Sequence, residues 1–295
     1  MHVISLLAPT RGRKSSLERF VTSVVALADS PEALEIILYI DDDDEESASI
    51  KFEFIKCIKI IGPRNTMGFY NTSCYRKSSG EIIILVNDDI VVRTQGWDTR
   101  IRKMHEGFPD KIYLSYPNDL NNGRALSAFP ILSRLVCEVL CNPFPIEYKG
   151  SFIDTHLFDI FERMRFLKKD RIAYLSDVVF EHMHFSLNKS TFDATYKDRG
   201  RFDDDEIFFS YREVRKSTAN HLINLANGIN QLPLKLSEPS PIESPSNILK
   251  ALHFYSTLFL MDELYPLKNR IYNFLYYLAR WTFKYYTKDN LNKAR

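Results

Sequence analysis

Apolar residues in the first third of the chain fall into short continuous runs, each stopped by polar or charged positions. Residues 2–8 predict a strand ending at Pro9, and Ser15 and Ser16 are placed to cap a helix in which Leu17, Phe20, Val21, Val24 and Val25 repeat at helical spacing. A second run, Leu34 to Ile40, stops in the four aspartates Asp41 to Asp44. A third, Ile58 to Ile61, stops at Gly62-Pro63, and a fourth, Ile82 to Val86, runs into Asn87-Asp88-Asp89 before Ile90-Val91-Val92 resumes the apolar pattern. Strands apolar on both faces that alternate with helices predict an α/β fold with a mostly parallel sheet covered by helices on both faces. Ligands of such sheets sit outside the carboxyl ends of the strands. The polar stops gather at that edge.

Further along, the pattern predicts a short strand over Ile112 to Tyr116, a helix around Ile131 to Leu140, a polar-apolar segment over 151–166, and a last strand from Ile172 to Phe180 closing in Glu181-His182-Met183-His184. Pro233, Pro239, Pro241 and Pro245 mark a linker. The division expected is a catalytic domain over 1–230, a Pro-rich linker over 231–246 and a helical extension over 247–295, broken near Pro266.

Composition narrows the chemistry. With 39 basic and 38 acidic residues the net charge is +1, so no global field draws the chain onto nucleic acid and an anionic ligand must be held locally. Cys57, Cys74, Cys137 and Cys141 are too sparse for a disulfide scaffold and read as reduced; Cys137 and Cys141, one helical turn apart, read as buried small hydrophobes. The apolar start is too short for a signal peptide, and no run of about 18 uncharged apolar residues is present to span a bilayer. A cytoplasmic location follows as the expectation, peripheral at a membrane if the C-terminal helices touch one.

Asp88 and Asp89 stand at the end of a buried strand, where the backbone is fixed. Carboxylates there suit a hard divalent cation and the diphosphate that such a cation neutralises as a leaving group; an isolated Asp-Asp is otherwise a turn. Four motifs occur in order: Ala8-Pro9-Thr10-Arg11-Gly12-Arg13, Tyr39-Ile40-Asp41-Asp42-Asp43, Gly62-Pro63-Arg64-Asn65, and Gly80-Glu81 followed by the strand and Asn87-Asp88-Asp89. Together they resemble the family 2-like glycosyltransferases of the GT-A fold, over residues 1 to about 200.

The resemblance implies transfer of a sugar from a nucleoside-diphosphate-sugar, commonly a UDP-sugar, to an acceptor hydroxyl with inversion, and dependence on Mn2+ or Mg2+. It implies nucleoside contacts at Pro9, Thr10, Arg11, Arg13 and Asp41 or Asp42, with Arg64, Asn65 and Asn71 over the phosphates and sugar. The metal motif maps onto Asn87-Asp88-Asp89, with Asn87 replacing the first acid. Asp89 would then bind the metal and Asp88 the donor's ribose or sugar. Gly68 reads as a helix or turn hinge.

An inverting transfer needs a carboxylate to take the acceptor proton. Asp154, in Gly150-Ser151-Phe152-Ile153-Asp154, resembles the family's base and would also serve as a helix N-cap; Asp159 follows it on the same helix. His182 and His184 follow an apolar strand and resemble the late histidine that completes the metal shell, with Lys189 near the diphosphate and Asn188, Ser190, Asp193 and Tyr196 in the segment after it. Phe202-Asp203-Asp204-Asp205-Glu206 reads as a helix start, and Asp43 to Glu46 as a solvated turn.

In the extension, Ile271, Phe274, Leu275, Leu278 and Trp281 recur at helical spacing among Lys268, Arg270, Arg280, Lys284 and Lys288. That face suits packing on the catalytic domain, a homodimer contact or a membrane surface. The expected partners are the donor and a glycan, lipid-linked or protein acceptor. Two other readings share the sheet: a sugar-nucleotidyltransferase, which normally has a glycine-rich loop where this chain has the single Gly12, and a non-catalytic binding module, favoured only by Asn87.

Overall fold

A computed structural model describes residues 1–183, 189, 202–229 and 237–293, with side chains to residue 286. His184, Asn188, Ser190, Asp193 and Tyr196 lie outside the described residues. The first strand, β1 (Ile4–Thr10), leads to α1 (Lys14–Ala26), β2 (Leu34–Asp41), α2 (Glu45–Ser49), β3 (Lys56–Gly62), α3 (Met67–Lys77), β4 (Ile82–Leu85) and β5 (Ile90–Val92). Next come α4 (Trp97–Glu106), β6 (Leu114–Asn118), β7 (Ile131–Ser133), α5 (Arg134–Val139), α6 (Ile153–Phe166) and β8 (Ile172–His182). Helices α7 (Asp205–Ser210), α8 (Arg212–Ala226), α9 (Ile248–Tyr255) and α10 (Leu267–Lys293) complete the chain.

The sheet has eight strands in the order β3-β2-β1-β4-β7-β6-β8-β5. The β3-β2-β1-β4 half is parallel throughout, while β7 pairs antiparallel with β4 and β6, and β5 antiparallel with β8. Alternation along the central strands feeds two cores: Leu6, Ala8, Ile36 and Leu38 pack with α1 and α4 residues such as Phe20 and Trp97, whereas Leu7, Ile37 and Tyr39 pack with α3, α5 and α6. This two-sided burial accounts for the uninterrupted apolar runs.

The helix expected around Ile131 to Leu140 is instead a short strand followed by a helix. Ile131 and Leu132 pair with β4, and Ser133 then caps α5 by accepting from the Val136 amide at 3.0 Å. Helix α1 starts at Lys14 with no side-chain cap, so Ser15 and Ser16 lie inside its first turn. Asp44 is not simply solvated: it caps α2 at Ser47 and accepts from the Gly12 amide at 2.6 Å, tying the β2 loop to the β1 loop.

The C-terminal helices belong to the same core as α6. Tyr255, Tyr277 and Trp281 are buried among Phe208 and Phe209. Tyr277 stacks on Phe259 at 4.9 Å between ring centroids and meets Phe209 edge-on at 5.0 Å. Of the expected face, Phe274, Leu278 and Trp281 pack on this core, but Ile271 and Leu275 are exposed, because the contact is centred on Tyr277. No described helix is long and apolar enough to cross a membrane. All four cysteines are free, and Cys141 is exposed beyond the end of α5, away from the role of a buried partner to Cys137.

Candidate active site

Because β1, β2 and β4 run parallel, their carboxyl ends deliver Thr10, Asp41 and the turn 86–89 to one edge. A cleft of about 1100 Å³ opens there. Pro9, Thr10, Arg11, Arg13, Asp41, Arg64, Asn65, Asn71, Asp88, Asp89, Asp154 and His182 all line it. Two of the expected residues do not: Asp42 is exposed outside the cleft, and Lys189 pairs with Glu181 at 2.7 Å, neither of that pair lining it.

The acidic turn is held from both sides. Asp88 accepts from Thr10 Oγ1 at 2.7 Å and from Arg13 Nη1 at 3.1 Å, and the same guanidinium lies 3.8 Å from Asp89. Burial pushes the Asp88 carboxyl up to about 6; Arg13 opposes that rise and the neighbouring Asp89 adds to it. Asp89 faces β8, where β5 pairs Ile90 with His182, and its Oδ1 lies 3.5 Å from His182 Nε2. The Asp89 carbonyl accepts from the Met183 amide at 2.7 Å, so the backbone fixes this approach as well.

A carboxylate oxygen and an imidazole nitrogen at that spacing are ligands that Mn2+ accepts. Mg2+ is commonly held by one or two carboxylates with the remaining positions filled by water and substrate phosphate. The donor set therefore fits a cation shared with a diphosphate.

On the β2 side, Asp41 accepts from Arg11 at 2.6 Å and from the Tyr70 hydroxyl at 2.7 Å, and Arg11 also pairs with Asp43. The Tyr70 ring lies 4.5 Å from that of Tyr39, and its hydroxyl accepts from the Asn65 amide at 2.7 Å. Tyr70 was invisible as a site residue because it reads as one more aromatic on α3. Gly68 is a close-approach position and not a hinge. Its amide donates to the Tyr148 carbonyl at 2.9 Å, and a Cβ there would lie 1.9 Å from the Pro145 carbonyl oxygen.

Asp154 stands in the first turn of α6, on the opposite wall. The N-cap position is Phe152, not Asp154, and Phe152 holds a left-handed φ of 67°, an uncommon conformation for a large side chain. Stacking of its ring on Phe208 at 4.9 Å holds it there. The preceding loop is fixed by Asp204, which accepts from the amides of Lys149, Gly150 and Ser151 at 2.8, 2.9 and 2.6 Å. The acidic run at 203–206 thus splits its work: Asp204 ties down the loop before Asp154, and Asp205 pairs with Arg280 at 2.9 Å. Asp159 faces away into a buried network with Arg163 at 2.8 Å, Arg215 at 2.7 Å and Tyr265 at 2.5 Å. Burial opposes its ionisation, but the two guanidiniums outweigh this and hold the carboxyl below its ordinary range.

Sequence reasoning also missed Tyr276 and Arg280, which reach the cleft from α10, and Asn121 and Asn122 from the loop after β6. No local signal marks them, since their position depends on how distant segments pack.

No family model and no curated protein matches the chain. Solved structures do. S. aureus TarS 1-349 in complex with UDP is 15% identical with a TM-score of 0.56, over 99% of this chain and 92% of that one. The complex of the same protein with UDP-GlcNAc gives 15% and 0.55 over 95% and 88%. A mannosyltransferase of Pyrobaculum calidifontis, PcManGT, in complex with GDP-Man and Mn2+, gives 12% and 0.50 over 96% and 86%. Against a longer TarS chain this sequence spans 50% of the length. At such identities the likeness speaks to architecture, and the architecture is the GT-A fold.

Proposed function

We propose that this protein is a metal-dependent, inverting glycosyltransferase that moves a sugar from a nucleoside-diphosphate-sugar, a UDP-sugar in the favoured case, to an acceptor hydroxyl. The observation that carries the reading is the approach of Asp89 Oδ1 and His182 Nε2 to 3.5 Å on the floor of a cleft that Asp154 faces from the other wall. The neighbours solved with UDP, UDP-GlcNAc and GDP-Man with Mn2+ share this fold, which supports the same donor chemistry here.

In this reading Asp41 binds the nucleoside, since it lines the cleft and Asp42 does not. Asp89 and His182 hold the Mn2+ or Mg2+, which when bound neutralises the departing diphosphate. Arg13 and Thr10 keep Asp88 oriented toward the donor's ribose or sugar, and Arg64, Asn65 and Asn71 cover the phosphates. Lys189 reaches the diphosphate by leaving Glu181. Asp154 takes the proton from the acceptor hydroxyl as its oxygen attacks the anomeric carbon on the face opposite the leaving group. The acceptor, whether glycan, lipid-linked or protein, enters beside α6.

Calorimetry with UDP, GDP and CDP, each with and without Mn2+, tests the reading: metal-dependent binding of one nucleotide is expected, and failure of all three would remove it. Asp89→Ala should weaken that binding by about 100-fold or more, since losing a ligand costs at least what losing an outer-shell partner does. Asp154→Asn should keep donor affinity and lose transfer, and unimpaired turnover in this variant would eliminate Asp154 as the base.

A further inference from the structure

A second group of ligand-bearing side chains lies at the other end of the strands, outside the cleft. His2 lies two residues before β1 and Glu81 one residue before β4, which are parallel neighbours, so both stand at the amino-terminal edge of the sheet. His2 Nδ1 is hydrogen-bonded to Glu81 Oε2. The last turn of α4 brings His105 against them, with the two imidazole rings 4.7 Å apart between centroids. One ligand atom from each of His2, Glu81 and His105 lies within 4.8 Å of the others.

His105 separates this group from an ordinary surface ion pair. It is 2% exposed, its Nδ1 lies 2.9 Å from the Tyr113 hydroxyl, and its Nε2 is buried with no hydrogen-bond partner among the described residues. Buried polar atoms are ordinarily satisfied, so one on a ring packed beside two further ligand-bearing side chains calls for an explanation. In the tautomer whose Nδ1–H donates to the buried Tyr113 phenol, Nε2 presents a lone pair; ligating histidines are commonly held through their second nitrogen in this way.

We propose that His2, Glu81 and His105 form a second cation site, taking Zn2+ or a similar imidazole-preferring transition metal. Two imidazoles and one carboxylate favour such ions over Mg2+. Metal bonds of about 2.0–2.2 Å at tetrahedral angles set ligand atoms roughly 3.3 Å apart, so His2 and Glu81 must exchange their direct hydrogen bond for the metal and close on His105. His2 and Glu81 can move, because their side chains are 32% and 58% exposed, while His105 is fixed by its packing. A cation there ties the chain start, the β4 edge and α4 together, with the remaining coordination position open to solvent. The site is independent of the donor chemistry proposed for the cleft.

The test uses the full chain carrying Asp89→Ala, His182→Ala and His184→Ala, so that none of the residues expected to bind the cleft metal remains. Titration with Zn2+ by calorimetry should give one equivalent bound, a raised melting temperature, and with Co2+ the visible bands of an imidazole-ligated ion. Adding His2→Ala or Glu81→Gln should lower affinity by about tenfold or more and shrink the melting shift, while changing metal-free stability little, since the His2–Glu81 pair that they break is exposed. Absence of stoichiometric Zn2+ binding overturns the proposal. So does equally tight binding in the combined His2→Ala, Glu81→Gln chain. These two surface positions decide the matter even if a His105→Gln chain fails to fold.

Discussion

Asp204 offers the sharpest test of how the wall carrying Asp154 is held. Its carboxylate is 3% exposed and accepts three consecutive backbone amides between 2.6 and 2.9 Å. Asp204→Ala removes the acceptor and leaves three loop amide donors without their partner. Hydrogen bonds to a charged group contribute about 1.5–3 kcal/mol each, but the loop at residues 149–151 borders the cleft and its amides regain water once it opens. The sum is therefore well below three full bonds, at about 3–4 kcal/mol. For a chain of this length about 2 °C of melting temperature accompanies each kcal/mol, which gives a fall of about 6–8 °C by calorimetric melting. Asp204→Asn, which keeps one acceptor oxygen, should fall between the two. Nucleotide affinity should stay at the wild-type level, because Asp41, Asp88 and Asp89 belong to other elements, while turnover drops as Asp154 loses its fixed position. A melting point within about 2 °C of wild type for Asp204→Ala would refute the reasoning.

Three further outcomes follow from contacts elsewhere. Gly68→Ala drives a methyl group into the Pro145 carbonyl, and equilibrium unfolding in urea should show a loss of about 1–3 kcal/mol, with near-neutral behaviour contradicting the close approach. Trp281→Ala removes a side chain that is 5% exposed in the shared core and should cost about 3–5 kcal/mol in the same assay; a small effect would mean that α10 is dispensable to the fold. Glu35, fully buried, is pushed up by desolvation, yet hydrogen bonds from Lys56, Ser5 and Ser79 win and lower it from 4.5 to about 2. A carboxyl depressed in the folded state contributes stability above its unfolded value that is lost as pH falls toward the folded one, so the window is pH 4.5 to about 2. After allowance for the exposed Lys56 partner this is about 2–3 kcal/mol, and Glu35→Gln should flatten the acid limb of the stability curve; an unchanged limb would rule Glu35 out.

The sequence by itself determined the strands that are buried on both faces and the edge at which they deliver polar residues. Runs such as Leu34 to Ile40 are set by burial alone, and Thr10, Asp41 and Asp88-Asp89 follow those runs by chain connectivity, so local pattern suffices to find them. Boundaries failed where a tertiary partner redefined a segment. Ile131 and Leu132 read as part of a helix but pair with β4, and Ser133, the last residue of that pairing, caps the next helix. Only the tertiary structure decided which acids face the cleft and which brace the fold: Asp41 lines it and Asp42 does not, Asp154 lines it from the first turn behind a left-handed Phe152, Asp159 is paired with Arg163 and Arg215, and Asp204 accepts from three loop amides. The same holds for Arg280 and Tyr276, brought to the cleft from α10, and for His105, packed beside His2 and Glu81, which both lie more than 20 residues earlier in the chain. A carboxylate or an imidazole looks the same in sequence whether it faces a ligand, a guanidinium or a backbone amide. The difference arises from burial and from partners contributed by distant segments, and these exist only once the chain has packed.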